Sequence, residues 1–240
     1  MKARDLFATV RTEGGLLPTA LLQRIVRDDC DLPGLHPDTY HLAVGERLHE
    51  TVSRAWNRLC GAWTSFRAAA AKLPAQDAGT TLTRERWLLI LFQELGYGRL
   101  LGARAVELGD KTYPISHCWH RSPLHLVSFR VDLDQRTAGM HEAARTSPHS
   151  LVQEFLNRSP EHLWGVVTNG LRLRLLRDKA SLTRQAFVEF DLEGMMEGEV
   201  YADFGLLWLL CHQSRIEAEK PEECWLERWT RTAQVEGARA

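Results

Sequence analysis

The sequence predicts a protein of the α+β or α/β class, in which an N-terminal helical part precedes a mixed sheet flanked by helices. Between residues 16 and 73, apolar side chains recur every three or four positions, the period of an amphipathic helix. After residue 103 the period changes to the alternation that is typical of strands. The pair Asn169-Gly170 lies between two apolar runs and predicts a tight β-hairpin over residues 164–177.

The helical part is predicted to contain one long core helix. Its apolar stripe follows three- and four-residue steps at Leu48, Val52, Trp56, Leu59, Trp63 and Phe66. Residues 31–38, which contain two prolines and a glycine, predict a turn before this helix. Residues 74–80 lack any period and form the predicted linker. We therefore divide the chain into a helical subdomain at 1–80, a sheet domain at 81–216 and a charged C-terminal helix or linker at 217–240.

The sheet domain is predicted to begin with a helix that Thr83 caps and Gly96 ends. Three strands are expected next, at 103–108, 113–117 and 124–133. Ser147 followed by Pro148 predicts the start of another helix, because proline suits the first helical position.

The predicted hairpin, with a type I′ turn at Asn169-Gly170, is followed by a strand at 187–191 and a strongly apolar, buried helix at 201–216. The chain then finishes on a charged segment that contains Trp225 and Trp229. Four other tryptophans at periodic apolar positions are expected in the core: Trp87, Trp119, Trp164 and Trp208.

Composition and charge narrow the class of protein. Of the 240 residues, 44% are hydrophobic and 25% charged, which describes an ordinary globular chain. The net charge of -1 gives no overall basic field that would indicate a nucleic-acid binder. The five cysteines are widely spaced and never form a CxxC pair, so we expect reduced thiols. Residues 1–6 contain no apolar signal-peptide core, and no run approaches the ~20 residues of a bilayer span. We expect a cytoplasmic protein with no membrane contact.

The hairpin sequence WGVVTNG, which continues into LRLRLLRD, resembles a segment of a known family. That family is the N-terminal, nuclease-like region of type IIG-like restriction-modification and phage-exclusion adenine-N6 DNA methyltransferases of prokaryotes. Residues 32–63 and 188–215 resemble other segments of the same regions. The resemblance implies DNA as one partner, and a methyltransferase domain or another defence-system subunit as the second. The family's S-adenosylmethionine loop and Asn-Pro-Pro-Tyr motif do not occur in the sequence, so this chain is not expected to methylate DNA.

The predicted order of helices and strands also resembles the restriction-endonuclease-like fold of the PD-(D/E)xK nucleases. These enzymes bind Mg²⁺ through carboxylates, because that ion prefers oxygen ligands. Their Pro-Asp and Glu-x-Lys positions correspond here to Tyr113-Pro114-Ile115 and Ser128-Phe129-Arg130, which contain no carboxylate. We therefore expect a catalytically degenerate scaffold with no metal and no other cofactor. An active Mg²⁺-dependent endonuclease built from Glu94, Asp110 and Asp132 stays an alternative.

Three arginines are the candidate DNA contacts. Arg130 stands where the nuclease family has its lysine, and Arg172 and Arg174 leave the same face of one predicted strand. A guanidinium suits phosphate because its planar fork donates two parallel hydrogen bonds. The alternative interpretation of the Arg172 and Arg174 face is an ordinary solvated surface.

Two further interpretations remain open. The chain could be a protein-interaction module that docks a methyltransferase or another defence subunit through its helical part and through the Trp225 and Trp229 segment. The sequence also places His117, Cys118, His120 and His125 close together. A zinc site needs about four well-spaced ligands, and none downstream completes this set, so ordinary strand-end packing is expected.

Overall fold

A computed structural model describes residues 7–141, 143–178 and 185–237; the first six residues, examined above for a signal peptide, lie outside this part. The fold is mixed α+β, as predicted. The strands are β1 Val10–Glu13, β2 Val106–Leu108, β3 Lys111–Tyr113, β4 His117–Trp119, β5 Ser122–Leu126, β6 Trp164–Thr168, β7 Arg172–Arg177 and β8 Phe187–Asp191. Six of them form one sheet in the order β1-β8-β7-β6-β5-β4, and β2 pairs with β3 alone.

The helices are α1 Thr19–Val26, α2 Leu48–Ala70, α3 Thr80–Thr83, α4 Leu89–Glu94, α5 Pro148–Arg158, α6 Leu192–Glu197, α7 Tyr201–Cys211 and α8 Trp225–Gly237. A π-helical turn at Arg84–Leu88 joins α3 to α4, and short 3-10 turns lie at Pro37–Tyr40, Gln213–Arg215 and Pro221–Glu223. The predicted long core helix is confirmed as α2, whose Val52, Leu59 and Phe66 are buried. The cap at Ser147 is also confirmed, because its hydroxyl accepts the amide of Ser150.

The sheet is mixed because β5 and β6 run parallel, whereas the other neighbouring strands are antiparallel. A parallel pair needs a crossover connection, and α5 provides it. On one face, Leu173 and Leu175 of β7 join the large core formed with the helices. On the other face, Val167 and Leu176 pack with the apolar side of α5. The neighbouring strands β6, β7 and β8 therefore each contribute to two cores through alternate residues.

The predicted hairpin is confirmed as β6 and β7, but its predicted turn type is wrong. A type I′ turn needs positive φ at both central residues, and only Gly170 has it, at +82°. The side-chain oxygen of Asn169 instead accepts the amides of Leu171 and Arg172, at 3.0 and 2.8 Å. Asparagine thus shapes the turn through its side chain, rather than through a left-handed backbone.

The predicted strands at 103–133 are shorter and differently arranged. The strand expected over 124–133 ends at Leu126, because two polar side chains bind the backbone beyond it. Thr83 Oγ1 accepts the amide of Phe129, and Ser128 Oγ accepts that of Arg130. Tyr113 belongs to the separate β2–β3 pair. The residues at the nuclease-like Glu-x-Lys position therefore lie in a loop, outside the sheet.

The division of the chain at residue 80 stays a prediction. Residues on both sides of this point share one buried cluster, which includes Leu22 of α1, Phe66 of α2 and Leu207 of α7. The N-terminal strand β1 also pairs with β8, from Val10 opposite Phe190 to Glu13 opposite Phe187. Helices and sheet are thus packed together throughout the described residues.

Candidate functional site

Arg174 is the centre of a buried charged network on the sheet face that α5 partly covers. Its Nε donates to Glu189 Oε2 at 2.6 Å, and its two terminal nitrogens donate to both carboxylate oxygens of Asp134 at 2.6 and 2.7 Å. Its guanidinium carbon lies 4.5 Å from the centre of the Phe187 ring, and its side chain is 1% exposed. Burial alone would lower the pKa of Arg174, but the hydrogen bonds to Asp134 and Glu189 raise it.

Two more arginines approach the same carboxylate from neighbouring strands. Arg11 of β1 lies opposite Glu189 of β8, which in turn lies opposite Arg174 of β7, so the three form one row across the sheet. Arg11 Nη2 is 3.1 Å and Arg172 Nη1 is 4.0 Å from Glu189 Oε1. Sequence reasoning missed Arg11, because β1 is a four-residue edge strand whose weak alternation gave no signal.

His149, in the first turn of α5, completes this network. Its Nδ1 is 3.2 Å from Arg174 Nη1 and therefore accepts a hydrogen bond. Its buried Nε2 has no hydrogen-bond partner among the described residues. Burial, together with the charge of Arg174, lowers the pKa of His149 to about 4. The imidazole is neutral at physiological pH and adds no charge to the group.

The network places Arg174 away from the DNA contact that the sequence predicts for it. Four of the five N–H donors of its side chain are bound inside the protein, three by the carboxylates of Glu189 and Asp134 and one by His149, and the side chain is 1% exposed. Arg172 does lie on the same strand face, as predicted, and its side chain is 54% exposed. Of the two predicted DNA contacts on β7, Arg172 and Arg174, only Arg172 is exposed to solvent.

Arg130 also has an internal role that differs from the predicted DNA contact. It donates to the carbonyl oxygens of Leu73, Pro74 and Ala75 at 3.2, 2.9 and 2.8 Å, just beyond the end of α2. These carbonyls belong to the irregular segment that follows α2, where no regular helix or strand supplies their donors. The predicted linker is therefore bound to the loop that follows β5.

The three acids of the nuclease alternative lie apart, which contradicts that grouping. Glu94 on α4 pairs with Arg58 of α2 at 2.9 Å, and burial raises its pKa. Asp110, in the β2–β3 turn, is 3.4 Å from Arg158, and Asp132 accepts the amide of Asp134 in the loop after β5. None of the three belongs to a group of metal-capable side chains in the described part of the chain.

A second set of cations lies along the outer edge of the sheet, at β4. The backbone of Gly102 pairs with His117, so the segments around these two residues run side by side. Four exposed residues on them form what we call the β4-edge group: Arg99, Arg104, His120 and Arg121. None of the four makes an ion pair with another described residue, unlike Arg174. Arg121 and Glu161 both lie close enough to His162 to influence its pKa.

The sequence could not identify this group, because its members come from an irregular segment and a turn. His120 and Arg121 form the two-residue turn between β4 and β5, in which His120 has a φ of +49°. Of the predicted metal-capable residues around this strand, none belongs to a group of three ligands among the described side chains. Across the residues that the structure describes, the only group of three metal-capable residues is Asp29, Cys30 and Asp31, of which Cys30 and Asp31 are exposed. All five cysteines are free, as predicted.

The two tryptophans proposed for docking contact the helical part of the same chain, Trp229 as a buried residue and Trp225 as a half-buried one. Trp229 is fully buried and donates its indole N–H to Pro33 O at 2.8 Å. Trp225 packs against Gly34, and the guanidinium carbon of Arg228 lies 4.8 Å from the centre of its ring. The amphipathic face of α8 is therefore occupied by the helical part of the same chain.

Within the described ranges, every helix is too short or too polar to cross a bilayer. Comparisons of the chain with protein-family models, with curated proteins and with solved structures find no match.

Proposed function

We propose that this chain is a DNA-engaging accessory domain without nuclease activity of its own, which contacts duplex phosphates through the β4-edge group. The observation that carries the proposal is that its three arginines are exposed and lack ion-pair partners among the described residues. A guanidinium already bound to a carboxylate has little to gain from a phosphate, whereas a solvated one gains a charge-assisted hydrogen bond.

The spacing along the edge suits a nucleic-acid backbone. Arg99 and Arg104 are five residues apart on the irregular segment that pairs with β4 at Gly102, so their Cα atoms lie no more than about 17 Å apart. Long side chains within this distance can reach neighbouring phosphates of one DNA strand. Contacts to phosphates fix the position of a protein on the duplex without selecting its sequence.

Catalysis is not part of the proposal. Glu94, Asp110 and Asp132 sit on three separate elements, each with its own partner inside the protein. A hydrolytic metal centre needs carboxylates that converge on one ion. The scaffold would therefore hold DNA for another component.

The resemblance noted in the sequence suggests what that component is. It favours an adenine-N6 DNA methyltransferase, as a following domain or a separate subunit of a restriction-modification or phage-defence system. Such a role places the proposed activity in the cytoplasm. Arg172, exposed on the sheet face, is a secondary candidate contact within this proposal.

The test is the affinity for a short DNA duplex, measured by fluorescence anisotropy across a series of salt concentrations. We expect the logarithm of the binding constant to fall linearly with the logarithm of salt, with a slope of about -0.9 per phosphate engaged. The variant Arg99→Gln/Arg104→Gln/Arg121→Gln should weaken binding at low salt by about tenfold or more and flatten the slope.

The matched control is Arg27→Gln/Arg86→Gln/Arg136→Gln, which removes three exposed arginines elsewhere and should retain most of the affinity. Undetectable binding by the wild-type chain at low salt would remove DNA from its function. Equal losses in the two variants would show a diffuse charge effect, which contradicts a site at β4.

A further inference from the structure

The helical part contains a half-open cleft that the proposed function does not use. It lies between the end of α1, the 28–37 segment, the first turn of α2 and one side of α7, and its volume is about 740 Å³. Small-molecule sites in proteins commonly enclose about 300–1,000 Å³. The cleft is therefore large enough for a ligand of moderate size.

The walls of the cleft are mainly apolar. Val52 of α2 and Leu209 of α7 contribute to them, and Gly205 leaves a gap in the α7 wall because it has no side chain. Val26 and Tyr201, at the cleft, are 39% and 40% exposed and thus belong to the few large apolar side chains that face solvent in the described chain. An apolar molecule in the cleft would remove this surface from water, which is favourable.

One cation at the cleft has no internal counterpart. Arg47, the residue before α2, is exposed, and its side chain makes no hydrogen bond or ion pair with another described residue. On the opposite side, Asp29 is neutralised by Arg24 at 2.6 Å.

The other acid at the cleft, Asp28, is exposed and makes no ion pair with a described residue. Asp28 and the buried Arg215 both act on the pKa of Tyr40, which places these two opposite charges near the same ring. Arg47, at the start of α2, is the unpaired cation of the cleft and therefore the charge that an anionic ligand can satisfy.

We propose that this cleft binds a small molecule with an apolar body and one anionic group, in which the apolar body lies beside Gly205 and the anion pairs with Arg47. The ligand class is that of an acyl or aryl carboxylate. Binding here involves none of the β4-edge residues, so it is independent of DNA contact.

Three probes with the same alkyl chain but different head groups separate the contributions of the apolar chain and of the head-group charge to the affinity. Dodecanoate, dodecanol and dodecyltrimethylammonium are titrated into the full chain below their aggregation concentrations, with isothermal calorimetry and intrinsic tryptophan fluorescence as readouts. We expect dodecanoate to bind most tightly, dodecanol more weakly and the cation most weakly. Absence of saturable binding by all three, or tightest binding of the cation, would overturn the proposal.

A filled cleft is the decisive variant. A Cβ at Gly205 meets no atom within 4 Å, so Gly205→Leu places a side chain in the cleft without a backbone clash. Leucine also favours a helix over glycine, so the variant is expected to fold at least as stably. We expect its affinity for dodecanoate to fall by about tenfold or more.

Gly61→Leu is the matched control, since Gly61 is also helical with open space at its Cβ but does not line the cleft. It should bind dodecanoate like the wild type; equal affinity of the two leucine variants and the wild type would place the site elsewhere and refute the proposal. Arg47→Gln should weaken dodecanoate by about fivefold to tenfold and leave dodecanol unchanged. An unchanged preference for the carboxylate in Arg47→Gln would refute the role of Arg47.

Discussion

The guanidinium carbon of Arg215 lies 3.6 Å from the centre of the Tyr40 ring. The rings of Trp225 and Trp229 lie within 5.5 Å of the same carbon, so three aromatic residues surround this arginine. It donates to the carbonyl oxygens of Gly34 and Thr39 and makes no ion pair with a described carboxylate. Burial lowers the pKa of Arg215 to about 10. Arg215 thus joins the 34–40 segment to α8 through hydrogen bonds and ring contacts.

Replacement of Arg215 should destabilise the fold strongly. Arg215→Met keeps much of the apolar contact but removes the charged donor from the carbonyls of Gly34 and Thr39, of which, among the described residues, only Gly34 O keeps another hydrogen bond, from Thr39 Oγ1. We expect this loss to cost about 2–4 kcal/mol. The measurement is the free energy of unfolding from urea titration. Arg86→Met, at an exposed position, should change it by less than about 0.5 kcal/mol. A small effect at Arg215 would show that water replaces the lost donors.

The buried pair of Arg174 and Glu189 predicts a non-additive pattern. Glu189→Gln removes the charge that balances three arginines and should cost about 3–5 kcal/mol, because it leaves a buried guanidinium undercompensated. Arg174→Met is measured alone as the second single variant, and the double variant Arg174→Met/Glu189→Gln should lose clearly less stability than the sum of the two single-site effects. Glu13→Gln, on the exposed part of β1, is the control. Simple addition of the two single-site effects would contradict a coupled pair.

Three buried histidines predict a specific loss of stability in acid. Burial lowers the pKa of His117 and His149 to about 4, and that of His212 to about 3. An unfolded histidine has a pKa of about 6.5, so below this pH the unfolded chain binds more protons than the folded one. The free energy of unfolding should therefore decrease as the pH falls from about 6.5 towards 4.

Replacement of one histidine measures its contribution to the pH dependence of the free energy of unfolding. His149→Gln should make the dependence shallower by about 1.4 kcal/mol per pH unit below pH 6, which corresponds to one proton. Urea titrations at several pH values measure this slope. The exposed His141→Gln is the control and should keep the wild-type slope. An unaltered slope in His149→Gln would mean that His149 stays solvated in the folded state.

Gly170 should be the least replaceable residue of the hairpin. It has a φ of +82°, and a Cβ there would lie 2.9 Å from Thr83 Cγ2, while its carbonyl accepts the indole N–H of Trp87 at 2.7 Å. Gly109 also has positive φ but open space around it. We expect Gly109→Ala to cost about 1 kcal/mol in strain and Gly170→Ala clearly more, measured by thermal unfolding. Equal losses of stability in Gly109→Ala and Gly170→Ala would show that α3, which contains Thr83, shifts to make room for the methyl group.

Local sequence signals predicted the elements that are regular and long. The apolar stripe of α2, the Ser147-Pro148 start of α5 and the hairpin strands all follow from neighbouring residues. The core positions of Trp87, Trp164 and Trp208 are confirmed as well, whereas Trp119 is half-buried. Alternation also placed Arg172 and Arg174 on one face, but it could not tell which part of that face is covered.

What the sequence left undetermined depends on tertiary neighbours. Arg174 forms its hydrogen bonds with Asp134, which lies forty residues away in the sequence. Arg130 donates to Ala75 O because the segment that follows α2 lies beside it in the fold. The β4-edge group exists because Gly102 pairs with His117 across an irregular segment. No period or motif signals such pairings, so the candidate site could be located only from coordinates.

The pairing of β1 with β8 has a consequence for biosynthesis. Residues 10–13 emerge from the ribosome early, but their partner strand at residues 187–190 follows only after most of the chain has been made. Thr9 likewise forms its hydrogen bonds only after Asp203 has been translated, because the carboxylate of Asp203 accepts both the amide and the hydroxyl of Thr9. Residues 10–13 lack this partner strand during the interval, so the sheet is completed only after β8 has been translated.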